Sequence, residues 1–173
     1  MTDNSSQNNG SLAGILRRTS FVVADAEKIA DFYIHVFGWK RFYDNDTPVD
    51  ARFPPCAPDA ALAKLIILKA KDPDIGMLGF MEYLGFEPEV STNKDKATLG
   101  IGDPILVIEA MDIDAVYEKV KTSTKTTGAR LVTEPIKWTV KDYAGTGLIH
   151  LCTFSFFDPI GTYVEVNTRL GQT

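Results

Sequence analysis

The stretch Phe21-Val-Val-Ala-Asp-Ala-Glu-Lys-Ile-Ala-Asp-Phe-Tyr-Ile-His-Val-Phe-Gly38 decides the fold. Apolar residues alternate up to Val23, as a strand requires, and the period then changes. Asp25 stands where a helix N-cap is expected, and Ile29, Phe32, Tyr33 and Val36 recur at helical spacing to give one apolar face. Gly38 ends the helix. Strand periodicity returns at residues 40–43, followed by a Pro-rich stretch over residues 44–59, which predicts a long loop of the kind that forms lids or pocket walls. Two more strands are predicted at 63–69 and 76–83.

The same order then begins again. Residues 104–110 read as a strand, Asp112 or Asp114 starts a helix reaching about residue 122, and Gly128 marks the return. Segments 130–138 and 147–157 read as strands, and Asp158-Pro159-Ile160-Gly161 turns into a last strand at 162–168. Asp25 superposes on Asp112 with strand on strand and helix on helix, so the chain is a tandem repeat of strand, helix and three strands. The expected fold class is α+β, with two βαβββ modules at about 12–86 and 100–169 in a single domain of residues 12–173. Residues 1–11, rich in Asn and Ser, have little to bury and are expected to be a disordered tail.

Composition narrows the partners. The 173 residues are 45% hydrophobic and 24% charged, with 18 basic against 23 acidic side chains and a formal charge of −5. No Lys/Arg block offers a phosphate backbone a footing, so nucleic acid is not an expected partner. No apolar run is long enough to span a bilayer, and no signal-peptide pattern opens the chain, so no membrane partner and a cytoplasmic location are expected. The two cysteines, Cys56 and Cys152, are far apart and read as reduced thiols.

The quoted stretch, together with Phe156-Phe-Asp-Pro-Ile-Gly-Thr-Tyr-Val-Glu-Val166, resembles the first and last signatures of the glyoxalase/bleomycin-resistance/extradiol-dioxygenase superfamily, the vicinal oxygen chelate proteins. The resemblance covers about residues 12–169. It implies that the modules build curled sheets into a cup holding a small ligand and, in many members, a divalent metal. It also implies a homodimer, since sheets of this family often pair between chains.

In metal-using members one donor comes from the first and last strand of each module. Those positions fall here on Arg18, Gly79, Ile105 and Glu165. Arg stays protonated and cannot ligate a cation, and Gly and Ile carry no donor. Near Ile105 only Asp103 could substitute. No cofactor and no metal ligand set is therefore expected, with a divalent metal disfavoured.

A turn centred on Pro159-Ile160 would place His150, Cys152, Phe154, Phe156, Tyr163, Glu165 and Asn167 on one face lining the cup. Alternation puts Arg18 and Ser20 on the first strand's cup face, and Gly79, Met81 and Tyr83 on the fourth's. The expected catalytic candidates are Arg18, Glu165 and His150. Arg18 and Glu165 would form an ion pair where the metal otherwise sits, binding a ligand oxyanion, and His150 would shuttle a proton. Ser20, Met81, Tyr83, Cys152, Phe154, Phe156, Tyr163 and Asn167 would contact the ligand. Three functions compete on these residues, with protein interaction alone as a further alternative. The first is a small-molecule binding protein without metal, its ligand aromatic or oxyanion-bearing. The second is a metal-independent, glyoxalase-like lyase, isomerase or cyclase, and the third a metal-dependent lyase or extradiol-type dioxygenase.

Overall fold

The computed structural model describes residues 14–55, 62–90 and 95–173, so the expected tail and Cys56 lie outside the described residues. The first module runs β1 (Arg18–Val22), α1 (Ala26–Phe37), β2 (Lys40–Pro48), β3 (Leu62–Lys69) and β4 (Met77–Leu84). The second runs β5 (Ile105–Glu109), α2 (Ile113–Thr127), β6 (Arg130–Lys141), β7 (Leu148–Phe157) and β8 (Tyr163–Gln172). Each module closes one four-stranded sheet, in the orders β1-β4-β3-β2 and β5-β8-β7-β6, with β1 parallel to β4 and β5 parallel to β8. Two α+β modules in tandem are what the repeat in the sequence requires.

The helix starts follow from local chemistry. The Asp25 side chain accepts from Lys28 N at 2.8 Å, and Asp112, rather than Asp114, accepts from Ala115 N at 3.0 Å. Gly38 and Gly128 close the helices in the left-handed region at φ 70° and 87°, where a side chain would be strained. β2 runs further than the sequence pattern suggests, because Asp44 to Pro48 pair in register with Ile66 to Leu62. The loop after it is correspondingly shorter.

Which face each sheet buries is set by α1. Tyr33 packs on Phe80 of its own sheet, ring centroids 5.4 Å apart, while the adjacent Phe32 reaches Phe156 of the other sheet at 6.1 Å. The Tyr33 hydroxyl donates to Asp158 Oδ2, in the β7–β8 turn, at 2.8 Å. Both helices therefore lie between the two sheets, and one core holds side chains from all four layers: Ile66, Leu68, Leu78 and Phe80 from the first sheet, Cys152, Phe154, Phe156, Val164 and Val166 from the second. The opposite face of each sheet is left open on the outside of the sandwich.

An ion-pair cluster ties α1 to β2 and β3. Arg41 reaches Glu27 at 2.5 Å and Asp31 at 2.8 Å, and Lys64 bridges Glu27 and Asp44 at 2.9 and 3.2 Å. The Arg41 and Lys64 hydrogen bonds hold the Glu27 carboxyl down at about 2. Among the described residues no helix is long and apolar enough to cross a membrane.

Asp158 is 1% exposed. Its Oδ1 accepts from Ile160 N at 3.1 Å and Thr162 N at 2.8 Å, which shapes the turn. Burial pushes its carboxyl up to about 6, against the opposing pull of those hydrogen bonds. A carboxyl whose folded value lies above its unfolded one stabilises the fold fully below the unfolded value, and that contribution fades as pH rises through the folded value. Wild type should therefore lose on the order of 2 to 3 kcal/mol relative to Asp158→Asn between pH 4 and pH 7. Urea unfolding of both proteins across that range checks this, and a pH-independent difference would contradict it.

Candidate functional site

The open face of the second sheet carries Ile105, Val107 and Glu109 from β5, Tyr163, Glu165 and Asn167 from β8, and Thr153, Ser155 and Phe157 from β7. Register defines this set: Val107 pairs with Glu165, Ser155 with Glu165, and Thr153 with Asn167. The sequence reading is one residue out here. Phe154 faces Val166 and Phe156 faces Val164, because the turn is centred on Ile160 and spans Asp158 to Thr162, closed by Asp158 N to Thr162 O at 2.9 Å. A one-residue slip exchanges the two faces of a strand. Cys152, Phe154 and Phe156 are consequently core residues between sheet and helices, 5%, 0% and 0% exposed, and do not line the open face.

His150 is also displaced from the expected site. It alternates with Cys152, on the face away from Glu165, and its ring nitrogens contact Thr139 Oγ1 at 3.0 Å and Thr173 Oγ1 at 3.1 Å at the far end of the sheet. Tyr163, Glu165 and Asn167 do share the open face, as expected.

Side chains missed in the sequence complete this face. The Trp138 indole donates to Thr153 Oγ1 at 2.7 Å, Thr153 donates to Asn167 Oδ1, and Asn167 Nδ2 donates to Glu165 Oε1 at 2.8 Å. Beside this chain, Thr133 and Ser155 share a hydroxyl contact of 3.0 Å. Trp138, Thr153 and Ser155 emerge only with the correct β7 register. In the sequence they alternate with larger apolar residues that look more like ligand contacts.

The open face of the first sheet carries Arg18 and Ser20 of β1 beside Met77, Gly79, Met81 and Tyr83 of β4. Met81 and Tyr83 are buried under the segment after β2: Phe53 lies edge-on to Tyr83 at 6.5 Å, and the Tyr83 hydroxyl donates to Pro54 O at 3.0 Å. Phe53 and Pro54 thus wall this half-cup. Arg18 and Ser20 stay exposed and lie across Gly79. A Cβ at Gly79 would sit 2.7 Å from Ser20 Oγ and 3.0 Å from Arg18 Cδ.

Because the helices occupy the space between the sheets, the two open faces look away from each other. Arg18 and Glu165 do not meet within one chain, contrary to the sequence expectation; Glu165 bonds Asn167 instead. Between the modules, where β1 and β5 leave sheet edges unpaired, a cleft of about 1430 Å3 is lined by Leu16, Arg17, Ile75, Val107 and Met111 among others.

The residues present do not fit a chelated metal. Of the four donor positions that the resemblance implies, only Glu165 carries a donor, and Arg18 and Ser20 fill the space into which a side chain at residue 79 of β4 would project. Asp103 is engaged elsewhere, 2.7 Å from Lys96 Nζ and accepting from Gly100 N at 2.6 Å. Its carboxyl is lowered by these contacts, the Lys96 hydrogen bond first.

Two half-cups on paired βαβββ modules define a class of protein, and comparison with known proteins agrees. The family model for the Glyoxalase/Bleomycin resistance protein/Dioxygenase superfamily matches residues 15–166, and the chain belongs to that superfamily. Among solved structures, a glyoxalase family protein from Bacillus cereus superposes with a TM-score of 0.67 at 14% identity, over 93% of this chain and 99% of that one. A point mutant of glyoxalase I from Zea mays gives 0.57 at 19% identity, over 88% of this chain and 46% of that chain. A family enzyme from Burkholderia phytofirmans PsJN gives 0.51 at 18%, over 91% and 100%. At these identities the likeness concerns the fold. No curated protein matches the chain by sequence.

The two faces of β7 make opposite predictions. Phe154→Ala should cost about 3 to 5 kcal/mol of stability by leaving a core cavity. Thr153→Ala, on the open face, should cost about 1 kcal/mol, the worth of a partly exposed hydrogen bond. Denaturant unfolding of both variants checks the register; the reverse ranking would show that the face assignment is wrong.

Proposed function

We propose that this chain is a binding protein for a small organic molecule, held without metal in a cup that two copies build together. The observation that carries the reading is the outward orientation of both open faces. A cup enclosing Arg18 and Glu165 needs the first sheet of one copy beside the second sheet of another. The β1 and β5 edges are unpaired, and around the cleft between them Leu16, Met111 and Val107 are 82%, 85% and 64% exposed. Apolar groups so exposed beside open strand edges suit a surface covered by a second copy. In that dimer Arg18 of one copy and Glu165 of the other frame the ligand, with Ser20, Tyr163 and Asn167 around them. Met81 and Tyr83 support the floor from beneath the wall segment.

A second reading rests on Glu165 itself. A carboxylate oriented by Asn167, with its other oxygen directed to the open face, is suitable as a general base, and Arg18 across the interface would stabilise an oxyanion. That describes a metal-independent, glyoxalase-like lyase or isomerase on the same cup. A cytoplasmic location agrees with the free, buried thiol of Cys152.

Light scattering on the eluted protein should give twice the chain mass, and Met111→Glu should shift it toward monomer with loss of aromatic-probe binding. A chelator should leave probe binding unchanged. A monomer that still binds the probe, or binding lost on chelation and restored by a divalent metal, would overturn the proposal.

A further inference from the structure

One end of the first open face is filled by a segment of the chain itself. Register puts Ala63 and Leu65 of β3 beside Tyr83 and Met81 of β4, with Val22 of β1 on the other flank of Met81. Exposure rises across that face, from 0% at Ala63 to 40% at Val22. The buried side lies under residues 49–55: Val49 and Phe53, together with Phe86, pack on Ala63, Met81 and Tyr83. This small cluster is separate from the core between the sheets. A few apolar contacts under one surface segment place it at the low end of local stability.

The covering segment keeps its own shape. Phe53 N donates to Asp50 O at 3.0 Å, Arg52 N donates to Asp50 Oδ1 at 2.9 Å, and the Arg52 guanidinium pairs with the same carboxylate. These bonds do not involve the sheet, and among the described residues no ion pair joins the segment to it. The segment meets β4 at the Phe53 ring, edge-on to Tyr83, and at Pro54 O, which accepts from the Tyr83 hydroxyl at 3.0 Å. Pro54 is exposed, so water can take the place of that donor. Phe53 is half-buried, and another aromatic ring in its place would recover the same contacts.

We propose that residues 49–55 form a displaceable lid, in which Phe53 holds the place of a ligand's aromatic ring against Met81 and Tyr83. Opening swings the Asp50–Arg52 turn aside as a unit and extends the half-cup from Arg18 and Ser20 to Ala63. It also frees the Tyr83 hydroxyl to donate to an acceptor on the ligand. Apparent affinity is then reduced by the fraction of molecules in which the lid is closed. The inference rests on the small-molecule reading above and adds to it which end of the half-cup takes the ring.

The test uses the full chain with carbon-13 methionine methyls and a nitroxide on Ala51→Cys, an exposed turn position, in a Cys56→Ser background. The probe is 6-propionyl-2-(dimethylamino)naphthalene, a neutral aromatic fluorophore with a carbonyl acceptor. In the free protein the nitroxide should broaden the Met81 methyl strongly. Saturation with the probe, followed by fluorescence, should shift that methyl and restore at least half of its intensity, with the Met111 methyl unchanged. Phe53→Ala, without the nitroxide, should bind the probe at least threefold more tightly than wild type, its Met77 methyl unshifted as the check on folding. A Met81 methyl that stays broadened at saturation, or binding in Phe53→Ala no tighter than in wild type, would overturn the lid and leave the small-molecule reading standing. No saturable binding by either protein would overturn both.

Discussion

The insertion of Phe32 and Tyr33 between the two sheets is the constraint on which everything else in this molecule depends. Adjacent residues on a helix point about 100° apart, so one turn of α1 can serve two layers at once: Tyr33 meets Phe80 and Phe32 meets Phe156. The Tyr33 hydroxyl then donates to Asp158 Oδ2, the carboxylate oxygen that Ile160 N and Thr162 N do not reach. With the helices enclosed in this way, each curled sheet can bury only one face within the chain. The other faces stay open, and in the proposed reading they serve a ligand and a second copy.

That geometry changes the meaning of the family's four donor positions. On one chain they are two separated pairs, Arg18 with Gly79 and Ile105 with Glu165, and three of the four carry no group that can ligate a cation. Arg18 and Ser20 occupy the space over Gly79. The other pair keeps a carboxylate, and Asn167 bonds it at the end of a chain through Thr153 and Trp138.

Much of the architecture was legible in the residues. Asp25 and Asp112 cap the two helices, the β1–α1 and β5–α2 units repeat in register, and Glu165 stands in the last strand as the signature requires. The β8 face containing Tyr163, Glu165 and Asn167 was also legible, since alternation within one strand needs no partner. What was not legible was the pairing between strands. Whether Asp158-Pro159-Ile160-Gly161 is centred between residues or on Ile160 depends on the Asp158 carboxylate accepting from Ile160 N and Thr162 N, a choice invisible to hydrophobic periodicity. Because both faces of β7 carry residues that could plausibly be buried, Phe154 and Phe156 looked like a ligand wall while Thr153 and Ser155 passed unnoticed. The separation of Arg18 from Glu165 was equally hidden, since it depends on how two modules stack and not on any local pattern.

The central claim is that the cup forms between copies, and one measurement addresses it directly. A nitroxide is attached at Ser20→Cys in a Cys56→Ser background on chains of natural isotope content, which are then mixed with nitrogen-15 chains carrying no nitroxide. A cup shared between copies predicts strong paramagnetic broadening of the Asn167 side-chain amide in the nitrogen-15 chains, with the amides of the α1–α2 core little affected. Absence of broadening at Asn167 in the mixed sample, at concentrations where the protein is dimeric, would contradict the account.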